Sequence, residues 1–260
     1  MTAAQDPATP TVAHPHRLAA VILLALAAST LTGDLVRWLG QDLPSVPYLR
    51  SLLATFLDLV LLLALSAWVA RRSPLSLLAL AGLRQPIRAP LAWAAIVLVP
   101  AWLACAVWID TPPQVRTADL LWMGLAGPFT EELIYRGLAI GMLTTLCGWR
   151  WLPACLAPAV LFGLAHFGNG ADLASIAGIV LITGAGGLLF GWLWVRWDGN
   201  LWPPVLLHAG MNSLWLMYGL GENAIGGLAG NVLRGGIVAA AVGLTLVRAH
   251  RAAIVASRED

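Results

Sequence analysis

The segment Glu131-Glu132-Leu133-Ile134-Tyr135-Arg136 sets two carboxylates and a guanidinium inside an otherwise apolar run of membrane-spanning length. A charged side chain at the centre of a bilayer helix costs about 2.5–3.5 kcal/mol on insertion scales, so such residues are expected to face partners and carry a function. Two further apolar runs hold candidate partners, Phe162-x-x-x-His166 and His208-x-x-x-Asn212. Carboxylate, imidazole and carboxamide side chains converging from separate helices can hydrolyse an amide. The carboxylate takes a proton from water as the water attacks, and the nitrogen donors hold the oxyanion that forms.

The spacing assigns separate tasks to the two acids. Glu132 and Arg136 are four apart, with Glu on the N-terminal side, the favourable order for an ion pair along one helix face. Glu131 is rotated by about 100° from Glu132 and has no cation at i+3 or i+4. Its neighbours there are Ile134 and Tyr135, whose phenol could donate to it. Glu132 is thus expected to hold Arg136, and Glu131 to serve as the general base. His208 and Asn212 lie one turn apart on one face, so both can donate to one oxyanion; an interhelical hydrogen-bonded pair is the plainer reading of that spacing. His166, with Phe162 one turn before it, is either a hydrogen-bonded packing residue or a second group on the water, with proton transfer to the leaving amine an alternative.

The ordered set Glu131-Glu132-x-x-Tyr135-Arg136, Phe162-x-x-x-His166 and His208-x-x-x-Asn212 resembles the CPBP family, the CAAX proteases and bacteriocin-processing enzymes, over about Leu120 to Ser213. The resemblance implies an eight-helix intramembrane endopeptidase of the glutamic type. It implies that Glu131 and His166 activate the water, that His208 and Asn212 stabilise the oxyanion, and that Glu132 and Arg136 support the site, with Tyr135 and Phe162 beside them. A zinc enzyme is the rival mechanism, with Glu131, His166 and His208 as ligands. It would need a further base, and no H-E-x-x-H sequence places two imidazoles on one helix turn. No cofactor is therefore expected, with zinc as the minority alternative.

The elements that must position these residues are membrane helices. Of the 260 residues, 59% are hydrophobic and 11% charged, against roughly 25% charged in ordinary soluble domains. Eight runs approach the roughly 20 apolar residues that span a bilayer. They cover Leu18–Leu39, Tyr48–Ala70, Leu91–Ile109, Leu120–Leu146, Leu152–Phe167, Leu173–Trp197, Leu201–Leu220 and Gly227–Val247. The expected fold is all-α and polytopic. A disordered tail (1–17) precedes a single transmembrane domain (18–248) with the motif-bearing core at 120–213, and a cytoplasmic tail (249–260) follows. Gly184, Gly187 and Gly191 read as a helix-packing stripe. The segment 73–90, with its three prolines, reads as a short interfacial helix.

Arginine placement orients the chain. Arg17, Arg71, Arg72, Arg84, Arg88, Arg150, Arg196, Arg248, Arg251 and Arg258 fall on one side of an eight-span topology, which is expected to be cytoplasmic with both termini. All fifteen basic residues are Arg, which hints at a GC-rich bacterial genome and an inner-membrane location. A net charge of +2 with scattered arginines gives no nucleic-acid footprint. Cys105, Cys147 and Cys155 form no C-x-x-C and read as apolar filling. The expected partners are the lipid bilayer and a membrane-associated protein or peptide substrate; no oligomeric state follows from the sequence. A non-catalytic scaffold or immunity-type protein that keeps the polar cluster is the alternative, and a transporter using Asp58 a weaker one, since no inverted repeat accompanies it.

Overall fold

The computed structural model describes residues 11–110 and 112–257. Among them all regular structure is helical. The long helices are α1 (Pro15–Leu39), α2 (Leu49–Ala70), α4 (Arg88–Trp108), α5 (residues 117–145), α6 (Trp151–Leu164), α7 (Leu173–Arg196), α8 (Trp202–Tyr218) and α9 (Leu228–Ala256), with a short α3 (Pro74–Leu78) between α2 and α4. Six of them are long and apolar enough to cross a membrane: α1, α2, α4, α6 with the turn after it, α7 and α9. The expected count of eight is thus met by six on length and composition. α8 has only 17 residues. α5 is a continuous helical path in which α and π turns alternate.

The apolar side chains point outward as well as inward. Only 17–33% of the most apolar window of each candidate span is buried within the protein, and Leu24, Trp68, Val107 and Leu181 are all exposed. Such a surface needs lipid around it, because water would leave each of those side chains hydrated. Backbone groups are satisfied within the helices, the requirement for a chain in hydrocarbon.

Local signals set the helix ends. Asp172 caps α7 by accepting from Ser175 N–H, and Ser175 Oγ accepts from Asp172 N–H in return, a capping box. α8 starts with Pro203 and Pro204 and stops at Gly219, whose φ of 60° is the left-handed cap that glycine adopts without strain. Helices reach into both expected tails. Residues 1–10 lie outside the described residues, but Pro15–Arg17 already belong to α1. α9 likewise continues past 249 to Ala256, because Ala and Arg there prolong the helix; residues 258–260 lie outside the described ones.

Two apolar clusters fill the bundle. One joins α1, α2, α3, α5 and α6 around Leu18, Leu26, Leu138 and Leu143; the other joins α4, α7, α8 and α9 around Val97, Leu193, Leu207 and Ala241. Segment 73–90, the expected interfacial helix, keeps most of its residues exposed, Leu75 at 78%, and turns one face inward. Leu77 and Ala81 are fully buried, and a Cβ on Gly137 or Gly141 would meet the Ala81 or Leu80 carbonyl at about van der Waals overlap, 3.0 and 2.9 Å. The segment rests that one face against α5, and Leu201 N–H and Asn200 Nδ2 donate to its Gly82 and Pro86 carbonyls. The glycine stripe does pack helices. Gly163 faces Gly184, Gly187 faces Ala159, and Gly191 faces Cys155, so α6 and α7 approach backbone to backbone.

Candidate active site

α5 carries the acidic pair. Its Leu120–Ala126 and Leu133–Ile140 stretches are wound as π-helix, the first closed by Gly127 N–H donating to Trp122 O. Such turns are rare and occur often at functional sites. The second stretch begins directly after Glu132 and contains Tyr135 and Arg136, so the widened turn falls where the charged side chains leave the helix.

Glu132 is the centre of the cluster. Its carboxylate is fully buried, and Oε1 lies 3.1 Å from Arg136 Nη1 and 2.8 Å from His208 Nδ1. The i, i+4 pair expected from the sequence is present, and a histidine from α8 joins it. A carboxylate only accepts, so Nδ1–H is the donor and Nε2 is left for other work. Nε2 lies 3.8 Å from Glu131 Oε2. Glu131 is 37% exposed where Glu132 is fully buried, so adjacent acids meet different surroundings: one is enclosed by protein, the other is partly open.

Aromatic faces replace the hydrogen bonds that Arg136 lacks. The guanidinium meets Glu132 as an ion pair rather than a hydrogen bond, and neither Nη1 nor Nη2 has a hydrogen-bond partner. Its carbon lies 4.4 Å from the Phe162 ring, 5.5 Å from Phe190 and 5.9 Å from Tyr135. Cation–π attraction reaches about 2 kcal/mol or more when the cation is desolvated. Gly187 provides the space, since a Cβ there would stand 3.1 Å from Arg136 Nη2.

Tyr135 does not serve Glu131, as the spacing had allowed. Its hydroxyl lies 2.9 Å from Ser29 Oγ on α1, and Ser29 Oγ donates its one proton to Leu26 O, so Tyr135 is the donor. Phe162 fills the role of a wall: it packs edge-on to Tyr135 at 5.0 Å and to His166 at 4.8 Å. His166 follows the end of α6, and its Nδ1–H donates to Phe162 O at 2.8 Å. Both histidines thus spend Nδ1 on the protein and leave Nε2. His166 joins the cluster through the Phe162 ring; among the described residues no hydrogen bond or ion pair links it to Glu131, Glu132 or His208.

Asn212 lies one turn beyond His208, as expected, but its Nδ2 donates to Met123 O at 3.1 Å in the first π stretch of α5. Beside it Ser213 Oγ donates to Gly124 O at 3.3 Å. One Asn212 amide proton remains for another acceptor. His208 and Asn212 therefore share a face toward α5 and bind different points along it. Reasoning from sequence missed Phe190, Gly187 as a cradle for the guanidinium, and Ser29. Gly187 carried a packing signal; Phe190 and Ser29 carried none, because ordinary apolar and small residues leave no trace of the partner they meet.

For the zinc reading, Glu131, His166 and His208 would have to converge. Among the described residues no three His, Cys, Asp or Glu side chains stand close enough to share a metal ion.

Residues 113–214 match the family described as Type II CAAX prenyl endopeptidase Rce1-like. The matched stretch runs from just before α5 into α8 and contains Glu131, Glu132, Arg136, Phe162, His166, His208 and Asn212. No curated protein and no solved structure matches the chain. The resemblance read from the motifs stands, and the chain carries a domain similar to a peptidase family within a multi-pass helical membrane protein.

Proposed function

We propose that the chain is an intramembrane endopeptidase that hydrolyses a peptide bond of a membrane-associated protein or peptide, with a water activated by Glu131. The observation that carries this reading is the pairing of a half-open Glu131 with a fully buried Glu132–Arg136–His208 group between helices. A cluster needed only for packing would be satisfied by the buried pair; Glu131 adds a second carboxylate that a substrate can reach.

In the proposed reaction Glu131 removes a proton from water, which attacks the carbonyl carbon, and the carbonyl becomes an oxyanion. His166 Nε2 accepts a hydrogen bond from the same water and fixes its direction. His208 acts as an imidazolium, with Nδ1–H on Glu132 and Nε2–H directed to the oxyanion. Two carboxylates, one guanidinium and one imidazolium then sum to zero charge, which a low-dielectric interior favours. Asn212 adds its free amide proton. Collapse breaks the C–N bond, and the proton held by Glu131 passes to the leaving amine. The chemistry is proposed to be metal-independent, which the separation of His166 from the other donors supports.

The proposed topology has eight spans. α5 and α8 cross as well: α8 sits at the lower limit of about 17 residues for a spanning helix. Arginine bias supports a bacterial inner-membrane protein with both termini cytoplasmic. The natural substrate is proposed to be a peptide or small membrane protein rather than a prenylated one, since prenylated proteins are not expected in a bacterium.

The test is cleavage of quenched fluorogenic peptides in proteoliposomes, one unmodified and one ending in a farnesylated CAAX sequence, by the parent and by Glu131→Gln. Cleavage by the parent, unchanged after exhaustive chelation and lowered at least about 100-fold in the variant, is expected. Chelator loss restored by zinc would replace this mechanism by the metal one. Equal rates for both proteins would remove Glu131 as the base.

A further inference from the structure

Phe190 lies on α7, one turn after Gly187, in a stretch with no polar side chain to draw attention to it. It is buried, at 6% exposure. Its ring lies over the His208 imidazole with centroids 4.9 Å apart and planes 21° apart, an offset parallel stack. The same ring stands 5.5 Å from the Arg136 guanidinium carbon. One phenyl ring therefore borders both nitrogen groups that meet Glu132, while Gly187 makes the space that brings α7 close enough for it.

Two constraints are needed to aim an imidazole. The Nδ1–Glu132 hydrogen bond fixes one edge of the ring but permits rotation about the Nδ1···Oε1 line. A stacked plane stops that rotation but does not choose which edge faces Glu132. Together they leave one orientation, with Nε2 toward Glu131. An aliphatic side chain of similar volume at 190 would fill the same space and give no plane.

We infer that Phe190 is a positioning residue for the peptidase site: its ring locks the His208 plane so that Nε2 faces Glu131 and the reacting carbonyl. This rests on the hydrolytic reading for its catalytic consequence, but the orientation itself can be read without turnover. Phe190 touches neither substrate nor water; it acts through His208. Its loss should cost less than the roughly 10²–10³-fold of a lost oxyanion donor, because His208 still samples the productive orientation.

The experiment uses the full chain in lipid nanodiscs with ring-15N-labelled histidine, the His208 signals being assigned by their loss in His208→Gln. In the parent, His208 is expected to show two ring nitrogens of separate shift, one held by Glu132 and one not, with ring protons shifted upfield by the phenyl ring. In Phe190→Leu these protons should lose the upfield shift and the two nitrogen signals should move toward a common average. Turnover of the fluorogenic peptide should fall roughly tenfold at nearly constant KM, the thermal midpoint should fall modestly with the lost Arg136 contact, and Phe190→Tyr should restore both spectrum and rate. A Phe190→Leu protein with the parental His208 spectrum and parental kcat would overturn the inference, as would equal losses in the Leu and Tyr variants. Should Phe190→Leu not fold, Phe190→Met is read by the same criteria. A parent that cleaves no peptide removes the proposed function, and the nitrogen spectra alone then decide the role of Phe190.

Discussion

Glu132 Oε1 accepts a 2.8 Å hydrogen bond from His208 Nδ1–H across the interface of α5 and α8. This ties the two helices that carry the acid and imidazole motifs, and it makes the buried acid the anchor of the exposed chemistry. Glu132 holds Arg136 as well, so one oxygen joins three motif residues.

Replacement of Glu132 tests this anchor. Glu132→Gln leaves the Arg136 cation buried without its anion, which typically costs about 3–5 kcal/mol. It also frees the His208 ring. Loss of both thermal stability and activity is expected, whereas Glu131→Gln should lose activity with a nearly parental melting temperature. Parallel melting and turnover measurements on the two variants check the contrast; matching melting temperatures would refute the anchor.

Arg136→Lys separates charge from shape. Lysine keeps a positive charge near Glu132 but cannot stack a planar group on Phe162 and Phe190. A drop in thermal stability of the order of 1–2 kcal/mol is expected from the lost cation–π contacts. A stability equal to that of the parent in detergent melting would show that charge alone suffices.

Asn212→Ala addresses the donor that rests on Met123 O. As an oxyanion donor its loss should lower kcat about 10²–10³-fold with KM nearly constant, because the bond strengthens only as charge develops. As an interhelical tie its loss would instead lower the melting temperature and leave kcat intact. Measuring kcat, KM and melting on this one variant distinguishes the two.

A fourth expectation concerns the loop face. Tyr48, at a φ of 61°, donates to Asp119 Oδ1 at 2.8 Å, and Arg116 forks onto the same carboxylate. The Arg116 hydrogen bond, with that of Tyr48 second, holds the Asp119 carboxyl below the usual carboxylate range. Because the folded-state carboxyl is the stronger acid, its contribution is present above the unfolded value of about 3.9 and is lost as pH falls through the lower folded value. The stability difference between the parent and Asp119→Asn should therefore shrink below about pH 4. A difference independent of pH from 3 to 7 would contradict the tie.

The sequence by itself determined the class of the protein and the identity of its motif residues. An apolar composition admits only a membrane helix bundle, and a charge in such a helix is too costly to be incidental, so Glu131, Glu132, Arg136, His166, His208 and Asn212 stood out. The Glu132–Arg136 pair was legible because both residues lie on one helix, where a spacing of four fixes proximity. The tertiary structure decided everything that crosses between helices. It gave His208 to Glu132 through Nδ1, sent Tyr135 to Ser29 rather than to Glu131, placed Asn212 on Met123 O, and set Leu77 and Ala81 of the 73–90 segment against α5. It also brought Phe190 and Gly187 to the charged cluster. Periodicity along one helix tells which face a residue occupies, but not which helix meets that face or in what register. The π-wound stretches add to this, because a widened turn shifts every later side chain around the helix axis and leaves no mark in the order of residues.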